Sequence, residues 1–193
     1  STGQPVAILH DECYLTDDRT AVAGAVAAKY LSPSNVKTIG IVGTGVQARL
    51  QLRYLKDIVN CRNVIVWGRN QKALLRYEKE MSVYEYQIKT TTNMSDIVEH
   101  CQLIVTCTPS ERSLINAVRP GTHITAIGSD TVSKRELSSD VMLQADMIVT
   151  DSKDQSRIRG EIYQVLKDGN SLDGITELGQ IISGKIEGRV CQE

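Results

Sequence analysis

No stretch of this 193-residue chain holds the roughly 20 consecutive apolar residues needed to cross a bilayer, so no membrane partner is expected. An excess of positive charge is also missing: 22 Lys and Arg stand against 23 Asp and Glu, a formal net charge of -1. The basic residues do not interleave with aromatics, which excludes the usual platform for nucleic acid. The first residues lack the basic-then-apolar layout of a secretory signal. Five cysteines (Cys13, Cys61, Cys101, Cys107, Cys191) are scattered, odd in number and without a C-x-x-C pair. That pattern excludes a disulfide framework and a zinc site, and it is the one expected of reduced, mostly buried thiols in a cytoplasmic protein. His10, His100 and His123 are too far apart for H-x-x-x-H or H-E-x-x-H, so no metal site is expected. Lys29 and Tyr30 form no Y-x-x-x-K pair.

What is present is the composition of a globular domain of ordinary size, 41% apolar and 23% charged. From Lys37 onward, short β-branched runs alternate with longer helical stretches. Thr38 to Val42 is a continuous apolar run stopping at Gly43, as a strand buried on both faces should. Val46 to Val59 follows as a helix, with Val46, Leu50, Tyr54 and Ile58 on one stripe. Val64–Trp67, Tyr86–Lys89, Leu103–Cys107, His123–Ile127 and Asp146–Thr150 read as further strands. Helices are expected over Gln71–Met81, over Met94–Cys101 with Asn93 or Ser95 as cap, and over Lys134–Gln144. Strands separated by such helical spans imply βαβ units and right-handed crossovers. The expected fold is α/β: a Rossmann-type doubly wound parallel sheet with helices on both faces.

The ends fit less well. Pro5–Leu9 is strand-like with no obvious partner. A helix is expected over Arg19–Leu31, capped by Thr16 or Asp17 and rich in small residues that admit a close neighbour. Helical stretches are expected near Gln155–Lys167 and Ile175–Ser183, before a bare polar tail from Gly188. These features divide the chain into residues 1–35, leading from a substrate or dimerisation domain; 36–170, the nucleotide-binding domain; and 171–193, leading to a further remainder. The expectation is a segment of a longer polypeptide.

Gly43-Thr44-Gly45-Val46-Gln47-Ala48 is a G-x-G-x-x-A loop between a buried strand and a helix. Gly43 allows the turn out of the strand, Gly45 lets backbone approach a diphosphate, and Ala48 keeps the helix close to the sheet. Free N–H groups and the positive end of the helix dipole then meet the phosphates. Glycine pairs also occur in plain βα turns; the strand before and helix after favour a nucleotide. NAD-selective sites place Asp or Glu at the end of the second strand to hold ribose hydroxyls. This chain has Trp67-Gly68-Arg69-Asn70 instead. Arg69 facing a 2′-phosphate, with Asn70 donating beside it, favours NADP(H) over NAD(H); the bland reading of Arg69 is a solvated surface cation.

At these residues the chain resembles the ornithine cyclodeaminase/mu-crystallin family. Leu15-Thr16-Asp17-Asp18-Arg19-Thr20-Ala21 is similar to its LT-x-x-RTAA helix start, and Ala28-Lys29-Tyr30-Leu31 to its AKYL. The loop at Gly43–Ala48 is similar to its G-x-G-x-Q-A. Gly128 to Leu137 resembles G-x-D-x-x-G-K-x-E-L, with Ser133 standing where the family has glycine. Asp151-Ser152, Glu177-Leu178-Gly179 and Gly188-Arg189 echo its later segments.

The resemblance implies hydride exchange at the α-carbon of a small amino or imino acid. It implies that Arg19, Val46 and Gln47 contact cofactor phosphates, that Thr108 and Lys134 lie near the cofactor, and that Asp130 is the catalytic acid/base. In the family, Arg and Lys from a segment that would precede Ser1 grip the substrate carboxylate. This polypeptide is therefore expected to be the cofactor domain of a longer enzyme, a homodimer at full length. Two observations stand beside the resemblance. Arg19, read as a first-turn cation, sits against the helix dipole, which calls for an anionic ligand or for neutralisation by Asp17 and Asp18. Asp130 follows the end of a buried strand, where open α/β sheets bind ligands, although Asp is common in such turns.

Cyclodeamination of ornithine and net oxidation or reduction (alanine dehydrogenase or ketimine reductase type) both fit. The absence of an acidic residue near Arg69 tilts the reading toward NADPH-linked reduction. The alternative is a non-catalytic NADPH-binding protein of the mu-crystallin kind.

Overall fold

A computed structural model describes residues 3–190. Its main sheet consists of five parallel strands: β1 (Ile39–Val42), β2 (Asn63–Trp67), β3 (Gln87–Thr91), β4 (Leu103–Thr106) and β5 (His123–Ala126), in the order β3-β2-β1-β4-β5. β1 pairs in parallel with β2 on one side and with β4 on the other. The winding direction therefore reverses at β1, and the crevice beyond the carboxyl ends of β1 and β4 is the place where open α/β sheets bind ligands.

Side chains alternate across the sheet with period two. Ile39, Ile41, Val64, Val66, Leu103 and Val105 face one way, against α2 (Val46–Leu55) and α3 (Gln71–Met81) through Ala48, Leu52, Leu55, Leu74 and Tyr77. Val42, Ile65, Trp67 and Ile104 face the other way. There they meet α4 (Ser95–His100), α5 (Ser139–Leu143) and α7 (Gly160–Lys167) through Ile97, Val141, Met142, Ile162 and Val165. Both faces are covered, as a doubly wound parallel sheet requires. The stripe at Val46, Leu50, Tyr54 and Ile58 is not the buried one: Val46 is 58% exposed, while Ala48, Gln51, Leu52 and Leu55 face the core.

The long helix α1 (Tyr14–Leu31) packs on α2 with Ala21, Gly24, Ala25 and Ala28 buried. At Gly24 the approach is close: a Cβ there would lie 2.0 Å from Gln51 Oε1. The helix starts earlier than its sequence suggests. Cys13, in a left-handed conformation at φ 73°, occupies the cap position, and Leu15 N–H donates to Asp11 Oδ2 at 2.7 Å. Asp11 thus satisfies an end donor one turn before Thr16 and Asp17, which lie inside the helix. Arg19 consequently belongs to the second turn, and the dipole argument for it no longer applies.

Other expectations are also corrected. Pro5–Leu9 has no regular structure, with Val6 98% exposed. The expected helix at Lys134–Gln144 shrinks to α5, because the Glu136 and Leu137 N–H groups donate to the Glu161 carboxylate and Ser138 then caps at Val141 N. The expected strand at Asp146–Thr150 is reduced to β6 (Val149–Thr150), paired in parallel with β7 (Thr176–Glu177) in a separate two-stranded sheet, which leaves β5 at the edge of the main one. The short helices α6 (Lys153–Ser156) and α8 (Leu178–Ile182) flank this small sheet. Near the carboxyl end, Arg189 donates to Gly121 O at 2.5 Å and Leu31 O at 3.4 Å, fastening that segment to the end of α1. Cys61 and Cys101 are buried, Cys107 half-buried and Cys13 exposed; Cys191 lies outside the described residues. No described helix is long and apolar enough to cross a membrane.

Candidate dinucleotide site

The loop leaving β1 has two glycines with different physical roles. Gly43 has φ 128°, and a Cβ there would lie 2.9 Å from Cys107 O, so the turn itself demands glycine. Gly45 has φ -82° and nothing within 4 Å of a would-be Cβ. Neither the backbone nor a protein neighbour requires glycine at 45, which stands open in the cavity wall. Gly45 is also the cap of α2 and supplies no side-chain acceptor. The first N–H groups of α2 therefore face outward uncapped, the arrangement that suits a phosphate.

Arg49 holds this loop. Its Nη1 donates to Thr44 O and, at 2.9 Å, to Gly45 O. Its Nε reaches Glu80 Oε2 at 2.6 Å, and the guanidinium stacks over Tyr77 at 5.0 Å. The loop carbonyls are thereby bound on the protein side, leaving the N–H side toward the crevice. Gln47 turns the other way: its Nε2 donates to Asp17 O and Asp17 Oδ1, both at 3.0 Å. Tyr54 OH donates to Asp18 Oδ1 at 2.5 Å. Both aspartates are thus committed to α2. Arg19 is exposed and forms no ion pair among the described residues, so they do not neutralise it.

A cavity opens between the ends of β1, β2 and β4. Gly43 and Gly45 form one wall, Trp67 and Arg69 another, Cys107 and Thr108 a third. Arg69 is exposed at its rim. Asn70, expected to donate toward a cofactor, caps α3 instead: its Oδ1 accepts from Lys72 N at 2.9 Å and Ala73 N at 3.2 Å. Its amide Nδ2 is not used in that cap. Ala48 is fully buried under the loop. Burial pushes the Cys107 thiol far above its usual range, so it stands neutral in the cavity wall.

Past β4 and β5 the structure is organised by a residue that sequence reading saw only as part of a motif. Glu136 is fully buried. Its Oε1 accepts from Thr108 N and Thr108 Oγ1, both at 2.7 Å, and its Oε2 from Thr106 Oγ1 at 2.8 Å and Gly128 N at 2.9 Å. Burial raises its pKa, and these four donors pull against that. Glu161, a half-buried carboxylate on α7, is pushed up to about 7 by burial. Asp130 lies further out, 67% exposed, with Lys134 Nζ 2.7 Å from its Oδ1. This pair does not line the cavity. Its loop is braced by Ser129 Oγ donating to Lys134 O at 2.7 Å and by Gln164 Nε2 donating to Val132 O and Lys134 O.

The geometry therefore gathers Gly43, Gly45, Arg69 and Thr108 around one cavity, with Val46 and Gln47 on the adjoining helix turn. Arg49, Glu136 and Glu161 were missed as functional residues. The signal for Arg49 was its position four residues after Gly45, within reach of the loop carbonyls. Glu136 carries no such sign, since its partners lie 8 to 30 residues away.

The model of the ornithine cyclodeaminase/mu-crystallin family matches residues 1–193, the full chain. The chain belongs to that family. An uncharacterized cyclodeaminase of Sinorhizobium fredii is 39% identical over 193 residues, covering 97% of this chain and 58% of the relative. A solved archaeal alanine dehydrogenase dimer with bound NAD superposes with TM-score 0.89 at 31% identity, covering 100% of this chain and 60% of that one. The Δ1-pyrroline-2-carboxylate reductase of Thermococcus litoralis, solved with NADH and L-proline, gives TM-score 0.89 at 29% identity, over 100% of this chain and 61% of that one. The chain thus spans 52% to 60% of the length of the curated relatives it matches. Ser133, where the family pattern has glycine, is not among the positive-φ residues, so the loop takes a serine without strain.

Proposed function

We propose that this chain is the cofactor-binding portion, centred on residues 36–170, of an NAD(P)-dependent enzyme that exchanges hydride at the α-carbon of a small amino or imino acid. The observation that carries the reading is the uncapped start of α2, held by Arg49 with side-chain-free Gly45 at its tip, at the point where strand order reverses. Gly43, Gly45 and the main-chain N–H groups of Val46 and Gln47 would hold the diphosphate, Ala48 would keep the helix close to the sheet, and Arg19 would supply a further charge toward the phosphates. Thr108 and Lys134 would lie near the cofactor. A bound nicotinamide supplies a reversible hydride acceptor.

The chain's own contribution to chemistry is proton handling at Asp130. Its Oδ1, 2.7 Å from the Lys134 ammonium, would exchange a proton with substrate nitrogen or water as the hydride moves. NADP(H) is the favoured cofactor over NAD(H), because Arg69 stands at the cavity rim and no carboxylate follows β2. The archaeal alanine dehydrogenase and the Thermococcus litoralis reductase carry NAD and NADH, which makes this preference the part of the proposal most exposed to test. A homodimer and a cytoplasmic location are proposed for the full-length protein.

Absorbance at the nicotinamide band, followed with the full-length protein and a panel of amino acids and cyclic imines, tests the proposal. Turnover that disappears in Asp130→Asn while cofactor binding persists is expected. Binding of NADPH without turnover on any substrate would replace the enzyme by a non-catalytic, mu-crystallin-like binding protein. No binding of either nucleotide would overturn the reading altogether.

A further inference from the structure

Glu136 is joined to four separate segments. Through its carboxylate it holds Thr106 and Thr108 at the end of β4 and Gly128 beyond β5. Through its carbonyl it accepts from Leu114 N at 2.8 Å and Ile115 N at 3.1 Å. Its N–H donates to Glu161 Oε1 at 2.7 Å, on the first turn of α7. The strand ends it joins approach each other closely. A Cβ at Gly128 would lie 2.3 Å from Thr108 O and 2.6 Å from Thr108 N.

The chemistry of the contacts selects a carboxylate. Each oxygen of Glu136 faces one hydroxyl, which can turn to donate or accept, and one backbone N–H, which can only donate. A glutamine amide must point its NH2 group at either Thr108 N–H or Gly128 N–H, donor against donor, in a fully buried site. Asp would leave the same donors out of reach. Only an acceptor at both oxygens closes the clasp.

We propose that Glu136 is a positioning residue that locks the end of β4 to the loop after β5, and so fixes Thr108 and Asp130 relative to each other for hydride transfer. This deepens the function proposed above and rests on it. Neither Thr106 nor Glu136 lines the cavity, so the clasp acts through Thr108, Gly128 and the loop they carry. Misplacing reacting groups by about 1 Å costs on the order of 100-fold in rate. A defect of that kind falls on kcat more than on diphosphate binding, which the first turn of α2 carries.

The test uses the full-length protein carrying Glu136→Gln and, separately, Thr106→Val, which removes one donor from the same carboxylate at nearly equal volume. Circular dichroism and thermal midpoint establish that each variant is folded. The expected result is a kcat lowered about 100-fold in Glu136→Gln and about 10-fold in Thr106→Val, with NADPH and NADH dissociation constants changed far less than kcat in both. If Glu136→Gln does not fold, Thr106→Val alone decides by the same split. Wild-type kcat in the folded variants, or a loss that falls equally on cofactor affinity, overturns the clasp while leaving the proposed function standing. A wild type that binds cofactor without turnover overturns both.

Discussion

Arg49 and Tyr77 form the brace behind the phosphate loop: the guanidinium lies 5.0 Å from the ring centre, and the ring's hydroxyl donates to Ala48 O at 2.8 Å. Through this pair α3 fixes the first turn of α2. Removing the guanidinium frees the Thr44 and Gly45 carbonyls to rotate toward the ligand. Arg49→Ala is expected to weaken NAD(P)H binding about 10-fold, the equivalent of one or two lost hydrogen bonds. Trp67, the sole tryptophan of the chain and a wall of the cavity, reports binding through energy transfer to the reduced nicotinamide.

The two loop glycines predict opposite phenotypes. Gly43→Ala places a side chain at φ 128° and against Cys107 O, and should destabilise the fold by about 1–3 kcal/mol. Gly45→Ala meets no protein atom, so its thermal midpoint should match wild type while cofactor affinity drops. Thermal melts beside binding titrations of both variants check this. Equal stability losses would show that Gly45 serves the turn and not a ligand.

Arg69 predicts cofactor choice. One charge-assisted hydrogen bond to a 2′-phosphate corresponds to a preference of about 10- to 100-fold. Arg69→Ser should remove that factor from NADPH binding and leave NADH nearly untouched. The NADPH advantage should also shrink with added salt, because the residue is exposed. A variant that weakens both nucleotides equally would argue against a 2′-phosphate contact.

Glu161 predicts a pH dependence of stability. Its folded pKa of about 7 lies above the ordinary value of 4.5, so between these values the native state binds the extra proton. Stability should therefore fall as pH rises from about 4.5 to 7 and level off above, by up to about 3 kcal/mol from this group. Glu136, raised in the same direction by burial, adds to the slope. Unfolding midpoints across this range should show the decline in wild type and a flatter curve in Glu161→Gln. That variant starts from a lower stability, since its amide faces the N–H of Glu136 or Leu137.

Much of the fold was legible along the chain because it rests on local periodicity. The runs at Thr38–Val42 and Leu103–Cys107 stop where their strands do, to within a residue or two. Helix starts were harder. Asp11 and a left-handed Cys13 begin α1 ahead of the better-looking caps at Thr16 and Asp17. The last predicted sheet strand failed because Val149 and Thr150 pair with Thr176 and Glu177, more than 20 residues later. No local pattern reports a pairing at that distance.

By itself the sequence determined the parallel α/β sheet and the glycine loop after β1, since alternating burial and a tight βα turn are written in neighbouring residues. Tertiary structure alone decided that Asp17 and Asp18 serve α2 rather than Arg19, that Arg49 turns the loop carbonyls away, and that Glu136 ties two strand ends together. Those outcomes are choices among partners far apart in the chain. They are settled by which donors and acceptors the packed helices and strands bring within hydrogen-bonding distance once water has been excluded.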